Sequence, residues 1–210
     1  MDIYDFIKNN LKTNSVIFEI GCHMGIDTEK ISNIVKTNNY HCFDPDPRNA
    51  KIMEERNLNV VYNKIGISDV DGYTDFYLST GHPNVFFGDK LLDDNDWSAS
   101  SSIKKPKLHY NWSPWCKFLP PITIRTMRVD TYCKINNINS IDFVWMDVQG
   151  AEIEVLKSFG NILQSTKFIY TEYSNLELYE GSPNKEEIMK INEKWKIIHD
   201  FGTDILIGTI

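Results

Sequence analysis

The sequence has no apolar run of membrane-spanning length and no segment resembling an export signal. No membrane partner is expected, and the chain is read as cytoplasmic. Its four cysteines, Cys22, Cys42, Cys116 and Cys133, form no C-x-x-C pair. They read as small buried thiols in a reducing compartment. Arginine is scarce, and 29 Asp and Glu outnumber 22 Lys and Arg, for a net charge of -7. Affinity for a phosphate polyanion is built from clustered Lys and Arg, so no nucleic-acid partner is expected. One basic stretch, Lys104–Lys107, is short. No internal repeat or linker is visible. What remains is an ordinary globular balance. The chain is 41% hydrophobic over 210 residues, which suits one α/β domain with a full core.

The most informative stretch is Val16–Gly25, VIFEIGCHMG. An apolar run ends at an acid, Glu19, and two glycines follow at G-x-x-x-G spacing. A second apolar run, Tyr40–Phe43, reaches Asp44 in FDPDP. This is the pattern of strand, glycine turn, helix and second strand ending in a ribose-binding carboxylate. Gly21 lets the backbone turn off the strand, and Gly25 lets the next helix pack close. Dinucleotide sites want G-x-G-x-x-G. Here His23 stands at the middle position and no third glycine follows. Glu19 would repel a pyrophosphate but suits a cationic nucleoside carrying an amino-acid end. S-adenosylmethionine has that chemistry.

The remaining elements alternate. Asp2–Leu11 has helical apolar spacing. Val16–Ile20, Tyr40–Phe43, Val60–Ile65, Ile141–Met146 and Lys167–Glu172 read as strands, with helices over about 26–36, from Pro47 to Arg56, over 129–135 and from Ala151. Thr74–Ser79 and Ile122–Thr126 read as further strands. A helix over about 184–192 and a hairpin of Trp195–Asp200 and Asp204–Gly208 close the chain. The fold predicted is a doubly wound, mostly parallel seven-stranded sheet with one antiparallel strand, and ligands at the carboxyl ends of the strands. Residues 80–121 interrupt it with Trp97, Trp112, Trp115, the serines of 98–102, and Pro106, Pro114, Pro120 and Pro121. This stretch reads as an inserted acceptor or lid region. Its tryptophans suit either a platform for sugar rings or a small satellite core.

From Val16 onward the chain resembles the FkbM-type methyltransferases, a branch of the class I, Rossmann-like S-adenosylmethionine-dependent fold. The segments that carry the resemblance are FEIGCHMG, FDPDP, GISDVDGYTDFYLS (66–79), MRVDTY (127–132), WMDVQGAEIEVLKSFG (145–160) and IYTEYSNLELYEG (169–181). Glu19 and Asp44 stand where the family more often has Asp and Glu, and both keep the charge. The resemblance implies an O-methyltransferase acting on a sugar, glycan or small-molecule hydroxyl. It implies cofactor contacts from Glu19, Gly21, Cys22, His23 and Gly25 after the first strand, and from Asp44 and Pro45 after the second. Ile67, Ser68 and Asp69, beside Gly66, follow the third strand, where the family places its adenine contacts. Asp69 suits a cap on the Asp71-Gly72 turn equally well.

Two further acids, Asp147 and Glu172, end central strands and are expected to face the transferred methyl. Structural roles stay open for both: Asp147 as a ligand of the cofactor ammonium or a helix cap, Glu172 as a loop anchor. An alcohol acceptor needs a general base. His109 and Asp147 are the two candidates, so the catalytic set is His109, Asp147 and Glu172. No metal is expected. Two other classes stay open, a nicotinamide-dependent oxidoreductase and a non-catalytic methyltransferase-fold binding module. His23 in place of a glycine counts against the first. Glu19, Asp44, Asp147 and Glu172 together count against the second.

Overall fold

The computed structural model describes residues 1–81 and 97–209. Of the expected insertion, 82–96 lie outside the described residues. Helix α1 (Ile3–Asn10) precedes β1 (Ile17–Ile20), α2 (Ile26–Val35), β2 (Tyr40–Phe43), α3 (Pro47–Arg56) and β3 (Val61–Asn63). Short strands β4 (Gly66–Ile67), β5 (Gly72–Phe76) and β6 (Ser79–Thr80) follow. Next come a one-turn helix α4 (His109–Trp112), β7 (Lys117–Phe118), β8 (Ile122–Met127), α5 (Val129–Ile135), β9 (Ile141–Met146) and α6 (Glu152–Ser158). A 3₁₀ turn (Gly160–Ser165), β10 (Thr166–Glu172), α7 (Lys185–Met189), β11 (Trp195–Asp200) and β12 (Asp204–Thr209) complete the order. Among the described residues no helix is long and apolar enough to cross a membrane.

The central sheet has seven strands in the order β3-β2-β1-β9-β10-β12-β11. Every pairing is parallel except the two made by β12, which runs antiparallel to β10 and β11. This is the sheet the sequence predicts. Winding goes one way from β1 to β3 and the other way from β9, so β1 and β9 flank the topological switch point where α/β sheets bind ligands.

Both faces of the sheet are covered, which is why β1 and β2 are buried along their whole length. Phe18, Ile20, Phe43, Val144 and Met146 pack with Val129 and Tyr132 of α5 and Val155 and Leu156 of α6. On the opposite face, Ile17, Tyr40, Cys42 and Phe143 pack with Ile7 of α1, Ile31 and Val35 of α2, and Met53 of α3. The two-residue alternation of strands thus feeds two cores. All four cysteines are buried and free. Local chemistry fixes the helix starts. Asp2 accepts from the Tyr4 and Asp5 N–H groups. Asp46 accepts from Arg48 N–H, with Pro47 in the first turn of α3. Asn184 and Glu187 close a reciprocal cap on α7.

The third strand departs from expectation. It ends at Asn63, because Gly66 and Ile67 leave the main sheet to pair with Thr126 and Met127. With β5 they form a second sheet in the order β4-β8-β5. The extended stretch expected at 74–79 therefore splits between that sheet and a β6–β7 pair.

Candidate functional site

A cavity of about 280 Å³ opens at the switch point. It is lined after β1 by Gly21, Cys22 and His23, after β2 by Asp44, Pro45 and Asp46, by Ile67 of β4, and after β9 by Asp147, Val148 and Gln149. Glu19 of β1 also reaches it. Ile65, Ile67, Phe76 and Ile103 supply apolar wall. Gly21 sets its shape. Its φ is +89°, and a Cβ there would sit 1.8 Å from the Asp147 carbonyl oxygen. Only glycine lets β1 turn that close to the end of β9.

Asp44 is buried and already engaged. Its Oδ2 accepts from His23 N–H at 2.9 Å, and its Oδ1 from Asp46 N–H at 2.9 Å and Asn49 Nδ2 at 3.1 Å. A carboxylate offers about four lone-pair sites. Three are used, which leaves room for one ribose hydroxyl. The network continues outward. Ser98 Oγ donates to Asn49 Oδ1 at 2.9 Å, and His23 Nε2 lies 2.7 Å from Ser98 Oγ. The serine proton is committed to Asn49, so His23 Nε2 carries the hydrogen and donates. Burial pushes the Asp44 carboxyl up to about 7, against the lowering effect of its donors.

Glu19 is buried, with Oε2 accepting from Tyr40 OH at 2.5 Å. Desolvation pushes it up to about 7 as well. Asp27 and Lys30 of α2 add opposite charges to the same wall and pair at 3.0 Å. The cavity thus carries an excess of carboxyl groups, which suits a cationic ligand.

Asp147 and Glu172 come together. Thr171 lies opposite Met146, so the two acids are the next residues on neighbouring strands. Gln149 Nε2 donates to Asp147 Oδ1 at 2.8 Å and to Glu172 Oε2 at 3.0 Å. Asp147 is exposed, but the surface it exposes is cavity wall. That enclosure raises its carboxyl above the usual range through desolvation. Glu172 is pushed up to about 9, by burial first and by Asp147 second. Glu172 faces a second, smaller cavity of about 30 Å³, lined also by Glu152, Ser174, Tyr179 and Ser182. Gln149 lines both cavities. Among the described residues no group of three or more His, Cys, Asp or Glu is placed to hold a metal ion.

The structure does not bring every expected residue to the cavity. Gly25 lies outside the lining. It caps α2 with φ +76°, and a Cβ there would sit 2.3 Å from Met53 Sδ, so it serves the packing of α2 on α3. Ser68 and Asp69 also lie outside. The strand shift at Gly66 carries them away, and Arg128 donates to the Asp69 carbonyl at 2.6 Å. Asp69 does not cap the turn. Asp71 accepts from Arg128 N–H and Thr131 Oγ1 instead. His109 is corrected most. It is 5% exposed and packs edge-on to Phe118 at 5.2 Å and tilted against Tyr179 at 5.4 Å. It lines neither cavity, and desolvation lowers its pKa. An aromatic box has claimed it as a packing residue. Trp97 and Trp115 likewise pack on each other, edge to face at 5.1 Å, while Trp112 is exposed. Sequence reading missed Asn49, Ser98 and Gln149. Asn49 and Gln149 lie within or beside quoted motifs. Ser98 meets Asn49 and His23 only through the fold.

Comparison with known proteins decides the family. Residues 20–198 match the model of the methyltransferase FkbM domain. The chain belongs to the FkbM methyltransferase family. It is 36% identical to the 2-O-methyltransferase NoeI of Sinorhizobium fredii over 194 residues, covering 90% of this chain and 76% of that protein. Among solved structures it superposes on an FkbM methyltransferase from Methylobacillus flagellatus with a TM-score of 0.53 at 11% identity. That match covers 94% of this chain, which spans 44% of the other's length. An rRNA methylase from Streptococcus thermophilus matches with a TM-score of 0.50 at 11% identity, over 99% of this chain and 94% of that one. At such identities the likeness is one of fold, and the fold is that of class I methyltransferases.

An FkbM-family methyltransferase uses S-adenosylmethionine, and the oxidoreductase alternative is set aside. The cavity fits that cofactor. Its acids suit a sulfonium and an ammonium, Asp44 keeps one acceptor site at the end of β2, and Gly21 lets the ends of β1 and β9 meet at the cavity because it has no Cβ to strike the Asp147 carbonyl. Its volume lies near the lower end of small-molecule sites.

Proposed function

We propose that this chain, as one domain, methylates a hydroxyl of a sugar or glycan, with Asp147 as the general base. The observation that carries the reading is Asp147. It stands on the cofactor cavity wall and is tied through Gln149 to Glu172 in the neighbouring polar cavity. When bound, S-adenosylmethionine supplies a methyl on a cationic sulfur, activated for in-line displacement. Gly21, Asp44, Glu19 and the apolar wall at Ile67 and Phe76 would hold it. Asp147 would accept the proton of the acceptor hydroxyl as that oxygen bonds to carbon.

Oxygen as the acceptor atom is supported by the 36% identity to a protein named as a 2-O-methyltransferase. A sugar is supported by exposed aromatic surface at Tyr110 and Trp112, within the proposed acceptor region at 80–121. A nucleic-acid acceptor is disfavoured, because the one basic stretch is neutralised. Lys104 pairs with Glu154 at 2.7 Å, Lys105 with Glu180 at 3.5 Å, and Lys107 with Glu177. The test offers labelled S-adenosylmethionine with panels of saccharides, small alcohols and RNA. Label on a saccharide is expected. Label on RNA alone would overturn the acceptor class.

A further inference from the structure

Asp147 and Glu172 are side by side on adjacent parallel strands, and among the described residues Gln149 is the one side chain that donates to both. Its Oε1 lies 3.1 Å from Tyr179 OH, and its backbone carbonyl accepts from Ser102 Oγ at 2.8 Å. Its φ is +53°, a left-handed conformation that a non-glycine residue keeps only when its surroundings over-determine it. The glycine beside it, Gly150, has φ +95°, and a Cβ there would crowd Tyr179 and Ser182 at 3.0 Å. The backbone is bent at some cost so that this amide reaches both acids.

We propose that Gln149 is a positioning residue that makes Asp147 and Glu172 one proton-sharing pair, with the single proton on Glu172 and Asp147 left ionised toward the cofactor cavity. It rests on the proposed reaction only for the role of Asp147 in turnover.

The chemistry of an amide explains why glutamine stands here. Two carboxylates this close cannot both ionise cheaply. A lysine between them would neutralise both and erase the base. An amide has two N–H donors and no charge, so it satisfies one oxygen on each acid and leaves one proton in the pair. The groups facing the pair are also acids: Glu152 of α6, Asp27 of α2 and Asp204 of β12. Lys30, which lines the same cavity, donates to Asp27. The field around the pair therefore favours keeping the proton. Asp147 lines the larger cavity and Glu172 the small one, where burial and Asp147 raise its carboxyl, which agrees with its holding the proton.

The first readout, a carboxyl titration, needs no acceptor, and the second, the pH profile of kcat, uses an accepted saccharide. Side-chain carboxyls of ¹³C-labelled protein are titrated by NMR, with Asp147→Asn and Glu172→Gln assigning the signals. The wild type should show two separated steps. Gln149→Met keeps the length and removes both donors. Its lower step should rise by about one unit, since the lost bond favoured the ionised form. The acid limb of kcat at saturating cofactor should move with it, giving about tenfold less turnover below the limb. S-adenosylhomocysteine should bind within about threefold of wild type. If Gln149→Met does not fold, Gln149→Asn tolerates the left-handed backbone but is too short to reach both acids, and the same rise is expected. An unchanged carboxyl titration in the folded variant overturns the proposal. Normal titrations with no methyl transfer to any saccharide would overturn the acceptor reading and leave this pair standing.

Discussion

Gly21→Ala is the sharpest test of how the site is built. The added Cβ would meet the Asp147 carbonyl oxygen at 1.8 Å and its carbon at 2.8 Å. Cβ contacts below 3.0 Å are essentially never seen. The ends of β1 and β9 must therefore part by more than an ångström, against the Gly21 N–H to Phe43 carbonyl bond at 2.8 Å and the Asp147 N–H to Ile20 carbonyl bond at 3.0 Å. Alanine also pays about 1–2 kcal/mol for a left-handed backbone. Overpacking adds about 1–3 kcal/mol. A loss of roughly 2–5 kcal/mol follows, or a fall in Tm of about 4–20 °C for a chain of this size. Gly202→Ala is the internal control. Its φ is +97°, but nothing lies within 4 Å of the added atom, so only the backbone cost of about 1–2 kcal/mol applies. Calorimetric melting measures both, and titration with S-adenosylhomocysteine should show at least a tenfold weaker Gly21→Ala complex. If the two variants melt together and Gly21→Ala binds normally, the close approach of β1 to β9 does not shape this site.

Other outcomes follow from the same geometry. Asp44→Asn places an NH₂ among the donors of His23, Asp46 and Asn49. Cofactor affinity should fall by about 1–3 kcal/mol in a binding titration. Glu19 and Asp44 sit near 7 because they are buried. A cationic ligand favours their ionised forms, so S-adenosylmethionine should bind more tightly at pH 8 than at pH 6 and release protons, read as a buffer-dependent heat. Glu172 is held up to about 9 folded against roughly 4.3 unfolded. Folding therefore takes up a proton, and that stabilisation is lost as pH rises through 9. Between pH 7 and 8 urea unfolding should show about 1 kcal/mol lost through this group, and Glu172→Gln should make the wild-type slope shallower by that amount. His109→Ala should melt early, by about 1–3 kcal/mol of lost packing, with the pH–rate profile unmoved. A moved profile would return His109 to the chemistry.

The sheet was legible because its signals are local. Apolar runs ending in Glu19, Asp44, Asp147 and Glu172 mark strands, and Asp46-Pro47 and Asn184 mark helix starts. The two glycines were read with their physical roles, and each has the crowded Cβ position that such roles require. What could not be read depends on distant contacts. The departure of Gly66 from the main sheet is decided by Thr126, 60 positions on. That one choice removes Ser68 and Asp69 from the cavity. His109 has the pKa of a base in sequence, and only Phe118 and Tyr179 reveal it as core. Ser98 reaches Asn49 across 49 positions, and no periodicity announces such a bond.

The central claim is that Asp147 takes the proton of a sugar hydroxyl as that oxygen is methylated. The direct measurement supplies ¹³C-methyl S-adenosylmethionine and an accepted saccharide to wild type and to Asp147→Asn, at concentrations that saturate both with cofactor. NMR then locates the label. A methyl ether on the sugar is predicted in wild type, with transfer reduced at least a hundredfold in the variant while it still binds S-adenosylhomocysteine. Label on nitrogen or carbon, or undiminished transfer by Asp147→Asn, would contradict the account.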